Sequence, residues 1–353
     1  MSNHLFWSSN CADIVRYPSA FTGFQMKKLV PSLIFVLAIC VHSQSESAGP
    51  GPSIFAPGIV STEFQETTAS FTPDGKTVYF TRSDVQENDN TILESHLINR
   101  RWSTAVVASF SGIWRDSEPD VSPDGKRLFF ISNRPVKGNR PIMTTLGTYT
   151  FNGSNVWYVE QRGNDWGQPI HLPGAINDIA RLYNPSIARS GTLYFSAVLP
   201  DGGGRNQIYR SVPGNGVYGR PERLSFSDPN FNHMDPTVDP EERFIIFAAN
   251  LPGSLAGSAD LYISLHKDGR WEEPISLGEN VNSTALENAP VLHPDGHTLY
   301  FSSARPNVGV FPKPRKETFA DVTARLHRIL NGQRNIWFID IKDQLRKYGI
   351  AEK

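Results

Sequence analysis

The stretch "VSPDGKRLFFISNRP", Val121–Pro135, has the form strand, tight turn, strand. Asp124-Gly125 supplies a two-residue turn, and Leu128–Ile131 supplies an apolar run suited to a packed sheet. One such hairpin is ordinary, but the chain writes it again. "FTPDGKTVYFTRSD" starts at Phe71 and "LHPDGHTLYFSSARP" at Leu292, with the degenerate copies "ARSGTLYFSA" from Ala188 and "DPEERFIIFAAN" from Asp239 between them. Aligned just before the first strand of each hairpin, Ala69, Pro119, Pro185, Pro236 and Ala289 share one position, at spacings of 50, 66, 51 and 53 residues. A period near fifty marks a repeat architecture.

Each hairpin is followed by a third apolar-aromatic run: "NVWYVE" from Asn155, "QIYRS" from Gln207, "DLYISL" from Asp260, "NIWFID" from Asn335 and the weaker "TILESHL" from Thr91. A fourth run follows a polar turn in "RWSTAVV" from Arg101, "DWGQPIHL" from Asp165, "GRPERL" from Gly219 and "RWEEPISL" from Arg270. The module therefore holds four short strands, a to d, and four strands per repeat make a propeller blade. The last module has no fourth run, whereas "SIFAPGIV" from Ser53 precedes the first hairpin. The expectation is an all-β propeller over 53–341 with five blades, closed by its N-terminal strand. A charged tail, 342–353, follows it.

The repeated Pro-Asp-Gly turn, followed by an aliphatic-aromatic pair, resembles the WD40-like (PD40) repeats of the TolB-like propeller family, over Ser53–Ile341. That resemblance implies the fold. It leaves function open, since the family includes periplasmic scaffolds, domains attached to peptidases and sugar-active enzymes. TolB has six blades, so a six-bladed ring stays open as an alternative.

Within this frame the aromatics Phe129, Phe130, Tyr194, Phe195, Phe247, Tyr300 and Phe301 are expected between blades, where a stacked sheet buries them. Asp74, Asp124 and Asp295 are expected as turn formers. Residues just before strand a and just after strand b share one face of the ring, and strand a lines the central channel. Glu118, Asn184, Asp235, Glu287 and Asn288 precede strand a, and Arg82, Arg134, Asn250 and Arg305 follow strand b. Together they form a candidate ligand site at the channel mouth, since carboxylates and guanidiniums suit hydroxyl-rich or anionic ligands. The competing expectation is that the same groups bond to neighbouring blades. His233 stands beside Asp235 and adds a titratable group, the makings of a base and its orienter. Two long insertions, from Pro135 and from Pro306, extend the same face. In the second, Phe319, Val322, Leu326 and Ile329 predict a helix within Thr318–Leu330.

A net charge of −1 gives no argument for nucleic acid as a partner. Met26 begins a basic, apolar, small-residue series with Lys27, Lys28 and Leu29–Val41, the layout of a signal peptide over 26–43. Residues 1–25 then lie upstream of the true start, 44–52 form a linker, and the product is periplasmic or secreted with no stable membrane span. Both cysteines, Cys11 and Cys40, fall outside such a mature chain, although "LAIC" leaves lipid anchoring at Cys40 as an alternative. No metal cluster, nucleotide motif or nucleophile elbow is present, so no cofactor is expected. Two functions remain: a monomeric binding or scaffold module for a protein or glycan, or a glycosidase or lyase with its site in the channel. A glycosidase needs two facing carboxyl groups, for which Glu118, Asp235 and Glu287 are the candidates.

Overall fold

The computed structural model describes residues 51–146, 149–179, 182–255, 259–306 and 311–350. The proposed signal peptide and Cys40 lie outside them. The described chain forms five blades, each an antiparallel sheet with strand order a-b-c-d. Blade 1 is built on strands Gln65–Phe71, Thr77–Ser83 and Asn90–Ile98, and blade 2 on Asp116–Val121, Arg127–Ser132 and Asn155–Arg162. Blade 3 uses Leu182–Ile187, Leu193–Ala197 and Gln207–Ser211. Blade 4 uses His233–Val238, Phe244–Ala249 and Asp260–Lys267, and blade 5 uses Glu287–Leu292, Thr298–Ser303 and Asn335–Asp340. The outer d positions are short pairs such as Glu222–Arg223.

Strand d of blade 5 comes from the other end of the chain. Ser53 and Ile54 pair with Phe338 and Trp337, and the Phe55 amide continues the ladder to the Ile336 carbonyl at 2.8 Å. Closing the ring this way gives strand c of blade 5 the outer partner that the other blades have.

Side-chain alternation along strand b builds the core. Phe130 points into the seam between blades 1 and 2, and its neighbour Phe129 into the seam between blades 2 and 3. Tyr194 and Phe195, or Tyr300 and Phe301, divide in the same way. Five buried clusters result, one per seam. Each fully buried ring contributes about 1.5–3 kcal/mol by leaving water. The Asp-Gly turns behave as their sequence predicts. Gly75, Gly125 and Gly296 adopt φ of 66°, 72° and 80°, and the preceding aspartates accept from backbone amides two residues on, Lys76, Lys126 and His297.

Strand a of every blade carries a bulge at one position, with a left-handed residue: Thr68, Glu118, Asn184, Asp235 and Ala289, at φ of 46–58°. The fifth member corrects the sequence alignment by one residue: Ala289, not Asn288, matches Glu118, and Pro290 matches Pro119. The bulge turns two consecutive residues toward the neighbouring blade.

The expected helix is shorter than its pattern. It spans Phe319–Leu326, opened by Thr318 and Asp321 in a reciprocal capping box, and buries no side chain. Ile329 lies beyond it. Residues Lys342–Lys347 also form a helix, whose Leu345 is buried in the seam between blades 4 and 5.

Candidate functional site

The bulged residues meet around the channel axis, and their bonds follow a rule. In blades 2 to 5 the amide of the left-handed residue finds a side-chain acceptor in the preceding blade. At the seam between blades 5 and 1 the equivalent Ser302 hydroxyl is buried without a partner among the described residues. Thr81 Oγ1 accepts from the Glu118 amide at 2.9 Å, and Ser196 Oγ accepts from the Asp235 amide at 3.4 Å. In blades 2 and 4 the equivalent strand b residues are Ile131 and Ala248, which carry no hydroxyl. There a carboxylate substitutes. Glu118 Oε2 accepts from the Asn184 amide at 2.6 Å, and Asp235 Oδ2 accepts from the Ala289 amide at 3.1 Å. Both carboxylates thus tie blade to blade.

The ring is knit further by side chains. Asn184 Nδ2 donates to Asp235 Oδ1 at 2.6 Å, Asn288 Nδ2 donates to Asp235 Oδ2 at 3.0 Å, and Thr68 Oγ1 donates to Asn184 Oδ1 at 3.4 Å. The last bond joins blades 1 and 3. Two positions after each bulged residue a second set of latches forms. Ser70, Asp120, Ser186 and Thr237 accept from the amides of Val121, Ile187, Val238 and Leu292 in the next blade. At the seam between blades 5 and 1 the matching residue is Val291, whose side chain has no acceptor to offer.

Two pockets open at the channel ends and share no lining residue. The near one, about 170 Å³, lies on the expected face, over Thr68, Glu118, Asn184, Asp235 and Ala289. Tyr183, Ser196, Asn206, Asn288 and Arg334 stand around it. The far one, about 300 Å³, lies among the Asp-Gly turns and is floored by Ser70, Asp120, Ser186 and Thr237.

Of the ten candidates, Glu118, Asn184, Asp235 and Asn288 come together in the near pocket. The others sit elsewhere. Arg82 pairs with Glu66 at 3.0 Å, Arg134 with Asp116 at 2.7 Å and Arg305 with Glu287 at 3.2 Å. Glu66, Asp116 and Glu287 are fully buried two positions before the bulge. These pairs repeat one device. The carboxylate also receives a hydroxyl from the loop that enters its blade, Thr62, Ser111 or Ser283, and the guanidinium reaches back to that loop's carbonyls. The arginines also lie over strand b aromatics, Phe80, Phe130 and Phe301. Each pair ties strand b to strand a of its own blade and to the loop that enters it, neither bridging blades nor lining the near pocket. His233 is buried against Phe226 and Phe247, apart from the channel, and burial lowers its pKa to about 4. Asn250 follows strand b of blade 4, its amide donating to the Asn232 carbonyl.

Sequence reasoning missed Asn206 and Arg334. Both directly precede strand c, next to the polar residues Gln207 and Asn335 that open it. That repeated position is the signal that marks them. Arg334 forms an ion pair with Glu87, and burial lowers its pKa to about 10.

Burial dominates the channel electrostatics. It raises Glu118 from 4.5 to about 7, with Asp235 adding repulsion against the Asn184 amide and the Arg115 charge. It raises Asp120 from 3.8 to about 7 against the Ile187 amide, and raises Asp235 against three hydrogen bonds. A carboxyl raised on folding holds its proton more tightly in the folded state. Its stabilising contribution is therefore full below the unfolded value and is lost as pH rises through about 7. Replacing both groups by Glu118→Gln and Asp120→Asn keeps an acceptor for each amide and removes the titration. The double variant is expected to gain about 1–2 kcal/mol over the parent at pH 8.5 and much less at pH 5, the low end because Glu118 still touches pocket solvent. Urea melts at the two pH values check it. An equal difference at both would place the titration elsewhere.

Solved structures of similar fold include two TolB proteins. A putative TolB from Agrobacterium tumefaciens is 16% identical, with a TM-score of 0.45, over 79% of this chain and 78% of that one. TolB from Acinetobacter baumannii is 16% identical, with a TM-score of 0.40, over 78% of this chain and 54% of that one. A gluconolactonase from Xanthomonas campestris is 14% identical, with a TM-score of 0.41, over 83% and 88%. No protein-family model matches the chain, and none of the curated proteins compared with it does. Among the described residues no helix is long and apolar enough to cross a membrane, and no group of three His, Cys, Asp or Glu is placed to hold a metal ion.

Proposed function

We propose that this protein is an exported binding or scaffold module that takes a protein or glycan ligand at the near mouth of its channel. The observation that carries the reading is the state of the channel carboxylates. Both oxygens of Asp235 are occupied, by Asn184, Asn288 and the Ala289 amide, and one oxygen of Glu118 is held by the Asn184 amide. Glycoside hydrolysis asks one carboxyl to give a proton and the other to attack or to activate water. Either task would compete with the bonds through which Asp235 holds Asn184, Asn288 and the Ala289 amide, the last two of them in blade 5. Glu287, the third candidate, is fully buried and bound to Arg305, Ser283 and Ser303. The near pocket supports binding because it is polar, concave and framed by loops from several blades.

The test uses the mature chain, taken to begin near Gln44, in glycan-array and partner-capture binding together with turnover assays on polysaccharides. Saturable binding without turnover is expected. Polysaccharide cleavage that disappears in Glu118→Gln or Asp235→Asn would replace this reading with the enzyme.

A further inference from the structure

The far pocket separates its polar and apolar groups by depth. Its floor is the ring of latches. Ser70, Ser186 and Thr237 accept from backbone amides of the next blade at 2.9, 3.0 and 3.3 Å. Each hydroxyl also carries a hydrogen of its own, which no described residue accepts. Asp120 Oδ2 accepts from the Ile187 amide at 2.8 Å, whereas Oδ1 receives no bond among the described residues. Asp120 keeps partial exposure, and the far pocket is the cavity it lines.

The mouth is apolar. Four blades place a proline at one turn position, Pro73, Pro123, Pro240 and Pro294, and all four line the pocket. Arg189 takes that position in blade 3, with Nε donating to Glu241 at 2.9 Å. Val291 and Leu292 add aliphatic wall, and Phe71 and His293, edge to face at 4.9 Å, add aromatic wall.

Complementarity narrows the ligand. An ammonium brings no acceptor for the hydroxyl hydrogens. A carboxylate brings no hydrogen for Asp120 and meets a like charge there. A sugar carries hydroxyls around its whole edge, and a proline collar offers those nothing. A hydroxyl on an aromatic ring satisfies both depths. It donates to the carboxyl and accepts from a neighbouring hydroxyl, while its ring lies among prolines, which pack well on aromatic faces. A cavity of about 150 Å³ holds benzene. The far pocket, at about 300 Å³, has room for the ring, its hydroxyl and a stem.

We propose that the far pocket is a second ligand site and takes a phenol, its hydroxyl lodged between Asp120 and the hydroxyls of Ser70, Ser186 and Thr237. The site is separate from the near mouth and does not depend on what binds there.

The test is an NMR titration of the mature chain at pH 8 with p-cresol, toluene and the peptide acetyl-Gly-Tyr-Gly-amide. At that pH Asp120, raised by burial to about 7, is mostly ionised and able to accept. p-Cresol is expected to shift signals of the Asp-Gly turns, and toluene to bind at least about tenfold more weakly. Asp120→Asn keeps an acceptor for the Ile187 amide but takes the acceptor from the phenol. It should weaken p-cresol about tenfold, with a melting temperature at or above the parent value. Tighter binding of the tyrosyl peptide than of p-cresol would assign the phenol to a tyrosine of a partner, and the reverse order to a free small molecule. Equal binding of toluene, an Asp120→Asn variant that binds like the parent, or no shift at the Asp-Gly turns would each overturn the phenol site. Shifts confined to the near mouth would overturn it too and leave the near-mouth reading standing.

Discussion

Removing Ser53–Val60 is expected to open the ring and drive the protein into aggregates. The segment supplies strand d of blade 5, so its loss bares the backbone edge of Asn335–Asp340. It also empties a seam. Phe55 lies edge-on to Tyr300 at 4.9 Å and Phe338 at 6.3 Å in blade 5, and to Phe71 at 5.8 Å and Trp102 at 5.4 Å in blade 1. Deleting one buried aromatic side chain costs about 3–5 kcal/mol, and Val60 and the strand pairing go with it, so the total approaches the whole stability of an ordinary domain. Size-exclusion chromatography with light scattering and calorimetry are the readouts. A truncated chain that elutes as a monomer and melts at the parent temperature would show that the segment takes no part in the ring.

Arg134→Ala is expected to lose about 3–5 kcal/mol, or roughly 6–12 °C in Tm, because it strands a buried charge. Arg134 donates to Asp116, to the Phe110 carbonyl and to Ser132, and its guanidinium lies over Phe130 and Trp157. Asp116 is fully buried, and burial already pushes its pKa up against the pull of Arg134. Without that guanidinium the carboxyl must take a proton or admit water. Lys126→Ala, at an exposed turn with only a 3.9 Å contact to Asp124, should leave Tm unchanged. Asp116→Leu combined with Arg134→Met should recover much of the loss, since an apolar pair of like volume needs no compensation. A single variant that melts like the parent yet fails to bind would return Arg134 to the ligand site.

The fold was legible because its signals are local and repeated. An Asp-Gly pair and an alternating apolar-aromatic strand need no distant partner to be recognised, and the lone orphan strand at Ser53 could be matched to the one blade that lacked it. The alignment slipped by one residue in blade 5 because Asn288 resembles Asn184, while the residue that bends there is Ala289. No side chain announces that bend. The site was only half legible. Glu118, Asn184, Asp235 and Asn288 were placed by strand direction alone, which topology determines. The same logic put Arg82, Arg134 and Arg305 on the right face but could not show that Glu66, Asp116 and Glu287 wait two residues before the bulge to bind them. Nor could it reveal that Glu118 and Asp235 stand in for missing hydroxyls, because that depends on Ile131 and Ala248 across a seam.

The unlatched seam between blades 5 and 1 bears on the order of assembly. Blades 1 to 4 each grip the next through a side chain on strand a, so these four joints can form as the chain lengthens. The fifth joint has Val291 where a latch would be. Its bonds, the Glu66 amide to the Arg334 carbonyl, Asn335 Nδ2 to Glu66 and Ser53 paired with Phe338, all join the two ends of the chain, the longest loop the fold must close. Loop-closure entropy comes before the contacts that repay it, and pairings between such distant residues are slow. A chain emerging from its N-terminus must therefore keep "SIFAPGIV" unpaired until nearly all of the remainder has appeared. During that interval the growing array is an open arc with an apolar face at each end, in need of shelter from other chains.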